Sequence, residues 1–382
     1  MPPYTSPWEN EELRLLREST RKFLEKEFVP HLNRWLQQGM LDREAWSQAG
    51  EMGLLLPSIP EEYGGAGGTF AHEAVVIEEV EKSGIGGNLG YPVHSTICPH
   101  YLLHYGTEEQ KQRWLPKMAT GEMIGAIAMS EPGTGSDLQS IQTRAVRDGS
   151  HYVINGAKTF ITNGQHADLI LLCVKTGEGK GSRNISIVVV EAENTPGFQR
   201  GRKLDKIGMK AADTSELFFS DARVPVENLL GEEGRGFYYL MQQLPQERLA
   251  LAVAAVAAIE HAVEITVDYT RNREAFGQRL LDFQNTRFTL AECKTEAHIA
   301  RVFVDSCIER IIRGELDNET ASMAKWWCTQ KQCEIVDTCL QLHGGYGYMS
   351  EYEIARMFTD ARVQKIYGGS NEIMKELIGR SL

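Results

Sequence analysis

The chain carries no excess of positive charge: 40 Lys and Arg stand against 52 Asp and Glu in 382 residues, a net charge of -12. Such a surface does not attract phosphate backbones or anionic lipid, so nucleic acid is not an expected partner. C-x-x-C pairs are also missing. The cysteines, at 98, 173, 293, 307, 328, 333 and 339, are odd in number and scattered, which points to reduced core residues rather than a disulfide framework. The longest strongly apolar run, Leu249–Ile259, has eleven residues. A bilayer span needs roughly twenty, so no membrane span is expected. The N-terminus offers neither a secretory apolar stretch nor an Arg-rich, acid-poor transit segment, and cytoplasm is the expected location. There is no internal repeat. A dinucleotide fingerprint is incomplete, because Gly84 to Gly90 has Leu89 where the last glycine belongs and it follows a helix pattern. Gly64 to Gly68 lacks the Lys and Ser or Thr of a phosphate loop and reads as a turn.

What is present is ordinary globular composition, with 42% hydrophobic and 24% charged residues. The length suits about two to three structural units. Ser6, Pro7 and Glu9 fit N-cap, N1 and N3 of a helix whose apolar face is Leu13, Leu16, Phe23, Leu24 and Phe28. Further helices are predicted over Leu41–Met52, Ala71–Lys82 and Thr107–Met118. From residue 121 the pattern changes to short runs of Val, Ile, Thr and Phe punctuated by Asp148-Gly149, Asn155-Gly156 and Asn163-Gly164, which favour hairpin turns. Strands are expected at Leu169–Lys175, Ile185–Glu191 and Glu216–Phe219, with a flexible loop at Lys175–Arg183. Long helices return over Gln246–Arg271, Asn285–Arg313 and Asn318–Leu342. The fold class is therefore α+β: a helical domain (1–120), an antiparallel β domain (121–235) and a C-terminal four-helix bundle (236–382).

Three segments carry chemistry. Ala128-Met-Ser-Glu-Pro-Gly-Thr-Gly-Ser-Asp137 has glycines that let the backbone approach a ligand and a hydroxyl at Ser136, and it reads equally well as a connecting loop. Asn155 to Asn163 is a β edge with an aromatic and hydroxyls, and Gln341-Leu-His-Gly-Gly-Tyr-Gly-Tyr348 is a second glycine-rich stretch. His100 and His104, four apart on a helix, either share a metal that lacks a third ligand or are core and surface histidines; no metal is expected.

Together these segments, with Arg273-Glu-Ala-Phe-Gly277 followed by Phe283 and Gln284, resemble the acyl-CoA dehydrogenase family over essentially the whole chain. The resemblance implies FAD as cofactor. It assigns Ile127, Met129, Ser130, Gly135 and Ser136, with Phe160, Ile161 and Thr162, to the isoalloxazine and ribityl end. Arg273, Phe276, Phe283, Gln284, Gln341, Gly344 and Gly345 are assigned to the pyrophosphate and adenosine across a subunit interface, and Ser370 and Glu372 to the cofactor as well. Ser136, Pro245, Gln246, Arg248 and Gly369 are assigned to the acyl-CoA. Tyr91–Tyr101 is the candidate for the far end of the acyl pocket.

One position departs from the common pattern. In Ile366-Tyr-Gly-Gly-Ser-Asn-Glu372 the place where most members carry the catalytic glutamate is Gly368, which cannot take a proton. Glu247, in Leu244-Pro-Gln-Glu-Arg-Leu249, matches the alternative base position of the long-chain and isovaleryl branches. On its residues alone Glu247 reads first as an ordinary first-turn acid favoured by a helix dipole. The resemblance implies α,β-dehydrogenation of a saturated, long-chain acyl-CoA to a trans-2-enoyl-CoA. Glu247 would be the base, a backbone N–H near Gly368 would act on the thioester oxygen, and electrons would pass to electron-transferring flavoprotein. A homotetramer built as a dimer of dimers is the family expectation. The alternatives are a silent acyl-CoA-binding scaffold, a branched-chain (isovaleryl- or citronellyl-like) dehydrogenase, and an acyl-CoA oxidase on the same fold.

Overall fold

The computed structural model describes residues 4–178 and 181–382, so the first three residues and part of the Lys175–Arg183 loop lie outside the described residues. The N-terminal layer comprises α1 (Glu11–Phe23), α2 (Leu32–Gln38), α3 (Arg43–Glu51), α4 (Phe70–Lys82), α5 (Cys98–Tyr105) and α6 (Glu108–Ala119). Capping boxes start α4, through Thr69 and His72, and α6, through Thr107 and Gln110. The first helix starts four residues later than its sequence signature. Asn10 is the N-cap and accepts from Leu13 N at 2.9 Å, while Ser6 to Glu9 closes a turn through Glu9 N and Ser6 O. Proline after serine also suits position i+1 of a turn, and asparagine is as good an N-cap as serine, so the second signal prevails.

The strands β1 (Gly125–Ala128), β2 (Arg144–Asp148), β3 (His151–Thr162), β4 (Leu169–Lys175), β5 (Ile185–Glu191), β6 (Phe198–Lys203), β7 (Thr214–Pro225) and β8 (Leu229–Leu230) form one sheet in the order β6-β7-β3-β2-β4-β5-β8, with β1 beside β4. Neighbours run antiparallel except at β1 with β4 and at the single β2 with β4 pair. Asp148-Gly149 makes the expected hairpin between β2 and β3. Asn155-Gly156 does not turn the chain; it sits at a bulge inside β3, where a Cβ on Gly156 would come within 2.7 Å of Thr143 Cα. That glycine is there for close strand approach, not for a turn. Asn163-Gly164 does bend the chain, but β4 is not the neighbour of β3, so no hairpin follows. All of β4 is buried: Leu169, Leu171 and Cys173 enter the helical core and Ile170, Leu172 and Val174 the β core. A strand covered on both faces reads as an unbroken apolar run.

The C-terminal part holds α7 (Gly236–Asn272), a hairpin of β9 (Glu274–Ala275) and β10 (Gln278–Arg279), then α8 (Gln284–Ile312), α9 (Asn318–His343), α10 (Glu353–Ala361) and α11 (Asn371–Gly379). α7 starts ten residues before the predicted Gln246, because it runs through Pro245, a residue that ordinarily ends a helix pattern. It is long and apolar enough by composition to cross a bilayer, yet 67% of its most apolar window is buried inside the fold, as a central core helix. Leu249, Ala250 and Ala252 to Val256 pack there with Ala300, Val304 and Ile308 of α8 and Ala324 and Cys328 of α9. Six of the cysteines are buried and Cys333 is half-buried, all as free thiols.

Contacts between layers fix where α5, β1 and α7 meet. His94 accepts from Gly125 N at 3.0 Å and its other nitrogen donates to Met118 O at 3.0 Å; burial holds its pKa down at about 4, so the ring is neutral. Trp46 Nε1 donates to His166 at 2.9 Å, and Arg43 donates to the carbonyl of the same residue at 2.9 Å. Arg301 of α8 joins Glu78 of α4 and Glu260 of α7, while Arg17 of α1 reaches Glu78 and Glu79.

Candidate active site

Glu247 lies three turns inside α7, with Leu249, Ala250 and Ala252 following it into the core, and is 5% exposed. Its Oε1 accepts a hydrogen bond of 2.7 Å from the Tyr101 hydroxyl of α5. Burial pushes its pKa up to about 7, against a smaller downward pull from Tyr101, Arg248 and His100. A helix N-terminus plays no part: Gly236 is three turns away and a helix dipole acts within its first turn. The bland reading of Glu247 as a first-turn acid therefore falls. A buried carboxylate that titrates near neutrality has the property a general base needs.

The neighbouring residues divide by role. Gln246 Nε2 donates at 3.2 Å to the carbonyl of Thr96, within the π-helical turn Val93–Ile97 that precedes α5. Pro245 is half-buried. Arg248 is 4% exposed and its Nη1 donates to Asn318 and Ser322 of α9.

Gly368 and Gly369 have φ of +63° and +91°, a conformation costly for other residues. A Cβ on Gly368 would lie 2.3 Å from Leu251 Cδ1. Leu251 is four residues beyond Glu247 on the same face of α7, so the turn at Gly368 and the carboxylate of Glu247 belong to one site. Where a glutamate on the turn would need room, this chain has a leucine. The buried Lys325 of α9 donates to Gly369 O at 2.6 Å and to Asn371 Oδ1 at 3.1 Å, which fixes the turn. Ser370 caps α11 by accepting from Ile373 N, and Glu372 occupies its exposed first turn.

A second set of assigned residues gathers on the β domain. Ile127 is the penultimate residue of β1 and Met129 follows the strand, both half-buried. Thr159 N donates to Ser130 O at 3.0 Å, and the buried Lys158 donates to Met129 O at 3.0 Å and Glu131 Oε1 at 2.9 Å, so β3 holds this segment in place. Gly135 and Ser136 are exposed beyond it. Phe160, at φ +60°, turns its ring outward and is 70% exposed, whereas the Ile161 side chain is buried in the β core and leaves only its main chain available. Thr162 is half-buried at the end of β3.

A third set lines a groove of about 630 Å³ between the end of α7 and the end of α9. Arg273, Gln341, Gly344 and Gly345 line it, with Tyr269, His343 and Tyr346. Its guanidinium suits a diphosphate, and the absence of side chains at Gly344 and Gly345 leaves room for a ligand to approach the main chain. Phe276 stands at the tip of the β9–β10 hairpin, 95% exposed and 6.3 Å edge-on to Phe283, with Gln284 exposed beside it. No β-domain residue lines this groove among the described residues, so the second and third sets are not joined by it.

His100 Nε2 lies 2.8 Å from the buried Glu73 and 3.0 Å from Ser58, which commits it to the core, while His104, whose Nδ1 is 2.7 Å from the carbonyl of His100, is a surface residue. The sequence reading missed Tyr101 as partner of Glu247, having given it to the far end of the acyl pocket. It also missed Lys325 and Leu251. Only an i, i+4 count from Glu247 would have found Leu251; the others come from distant segments.

Compared with known proteins, the chain matches the acyl-CoA dehydrogenase N-terminal domain over residues 10–122, the middle domain over 126–222 and the C-terminal domain over 234–382. It is 49% identical over 370 residues to the mitochondrial long-chain specific acyl-CoA dehydrogenase of Mus musculus, covering 96% of this chain and 86% of that one. The crystal structure of an acyl-CoA dehydrogenase from Geobacillus kaustophilus is 52% identical, with a TM-score of 0.96 over 99% of each chain. A glutaryl-CoA dehydrogenase from Mycobacterium smegmatis, solved in complex with FADH2, is 28% identical with a TM-score of 0.91 over 98% of this chain and 95% of that one.

Proposed function

The chain belongs to the acyl-CoA dehydrogenase family, and we infer from that premise that it oxidises a saturated long-chain acyl-CoA to the trans-2-enoyl-CoA with Glu247 as base. The observation that carries this reading is the pairing of a buried Glu247, its pKa raised to about 7, with a glycine turn at Gly368 closed by Leu251. FAD is the family's cofactor and, when bound, supplies the hydride acceptor.

The remaining chemistry falls to side chains and amides of this chain. Glu247 takes the proton from the substrate α-carbon, and its buried site excludes competing water. A main-chain N–H at the Gly368–Gly369 turn donates to the thioester oxygen as negative charge develops there, a contribution of about 3 kcal/mol for a well-placed donor. Lys325 keeps that turn in position. Pro245, Gln246, Ser136 and Gly369 border the CoA thioester. The β3 segment with Ile127 to Ser136 faces the ring end of the cofactor, and Arg273, Gln284, Gln341, Gly344 and Gly345 hold its diphosphate and adenosine end from a second copy of the chain. That division supports an interface between two copies, and a homotetramer of paired dimers is the assembly proposed from the family resemblance. Electron-transferring flavoprotein is the proposed acceptor and cytoplasm the proposed location. Long-chain preference is supported by the 49% identity to the mouse long-chain enzyme.

Anaerobic titration of the purified flavoprotein with saturated acyl-CoAs, from short to long and including branched ones, tests the reading. Long straight chains are expected to bleach the oxidised-flavin band most completely. Bleaching by branched chains alone would reassign the substrate, and bound FAD that no acyl-CoA bleaches would favour the silent scaffold.

A further inference from the structure

We propose that Tyr101 is a positioning residue for the base: its hydroxyl holds the Glu247 carboxylate so that one oxygen is tied to α5 and the other is left for the substrate α-carbon. This rests on the reading of Glu247 as the base. Tyr101 is fully buried, and its hydroxyl makes a 2.7 Å bond to Glu247 Oε1. A tyrosine at a dry position needs a partner for its hydroxyl, and here that partner is the carboxylate. Bonds from a neutral hydroxyl to a carboxylate are short and roughly twice as strong as neutral ones. Such a bond favours the ionised carboxylate over the protonated one.

The other groups facing Glu247 are engaged elsewhere or uncharged. Burial raises the thiols of Cys98 on α5 and Cys173 on β4, which keeps both protonated. His100, also on α5, is bonded to Glu73 and Ser58, and Arg248 donates to Asn318 and Ser322. Burial also raises Tyr101 itself well above the usual phenol range, so it remains a donor through the working pH range. Among the described residues Tyr101 is the one hydrogen-bond donor on this carboxylate. The segment before it supplies the register: the π-helical turn Val93–Ile97 and Pro99 at the start of α5 set which face of that helix meets α7.

The test uses the holoenzyme with Tyr101→Phe, which removes only the hydroxyl, and follows kcat and kcat/KM across pH with an acyl-CoA the unaltered enzyme accepts. The midpoint of the acidic limb is expected to rise by about one pH unit, as for the loss of one bond to a charged group. kcat at the plateau is expected to fall about tenfold, with KM changing less than about twofold, as for a misplaced reacting group. Glu247→Gln, run in parallel, separates the two layers of the reading. Retained turnover in Glu247→Gln overturns the base assignment. An inactive Glu247→Gln together with an unaltered pH midpoint and kcat in Tyr101→Phe overturns the role of Tyr101 alone. Should Tyr101→Phe fail to fold, 3-fluorotyrosine at the same position keeps the ring and makes a stronger donor. Its acidic limb is expected to move to lower pH, and an unmoved or raised midpoint overturns the proposal.

Discussion

Glu247 illustrates how function works against stability at a single residue. Its folded pKa of about 7 lies above the ordinary carboxylate value of 4.5, so the folded protein binds the proton more tightly than the unfolded chain does. The associated stability is fully present below the unfolded pKa and is lost as pH rises through the folded one. Replacing Glu247 by Gln removes that loss, and urea denaturation at pH 8 is expected to show a gain of about 3 kcal/mol that fades toward pH 4.5. An equal or lower stability of the variant at pH 8 would contradict the burial described here. In the same pH window kcat/KM should rise on the acidic side with a midpoint near 7. The role proposed for this residue rests on the family pattern around Gly368, since an isolated Glu in Leu244-Pro-Gln-Glu-Arg-Leu249 looks like any acid near a helix start. Tyr101 was not legible at all as its partner, because a contact across 146 residues leaves no local pattern.

Elements explain which local signals succeeded. Thr69 and Thr107 stand one residue before helices with matching N3 partners, and the sequence patterns and caps agree there. Pro245 misled the reading of α7, because tertiary packing on α8 and α9 outweighs the lost hydrogen bond at one helical position. The Gly368 turn and α7 form a matched pair, since Leu251 fills the space a longer residue on the turn would need. Moving the base back, as Glu247→Gln with Gly368→Glu, is therefore expected to leave activity low until Leu251 is also shortened to Ala. Full activity of the double variant without that change would contradict the packing. The ionic cluster of Arg301 with Glu78 and Glu260 ties α4, α7 and α8 together. Arg301→Leu takes one of two guanidinium partners from the buried Glu78, leaving it Arg17, and chemical denaturation is expected to show a loss of about 3 kcal/mol.

At the scale of the whole molecule the assigned cofactor residues fall into two sets, one on the β domain around Phe160 and one in the groove of Arg273 and Gly344. A cofactor long enough to use both would link two copies of the chain. Dilution below the dissociation range of the assembly is then expected to release FAD, seen as a rise in flavin fluorescence, and Arg273→Ala should shift that release to higher protein concentration. The plan of helices, sheet and helices was readable from periodicity alone, whereas the shared groove needed the folded ends of α7 and α9 to meet. The most direct test of Glu247 as base is single-turnover flavin reduction, followed anaerobically in stopped flow with a saturated long-chain acyl-CoA. Glu247→Gln, with FAD retained, is expected to slow the bleaching at least about a thousandfold against the unaltered protein, the scale at which general-base contributions operate. Bleaching at an unchanged rate would mean that the proton leaves through another residue.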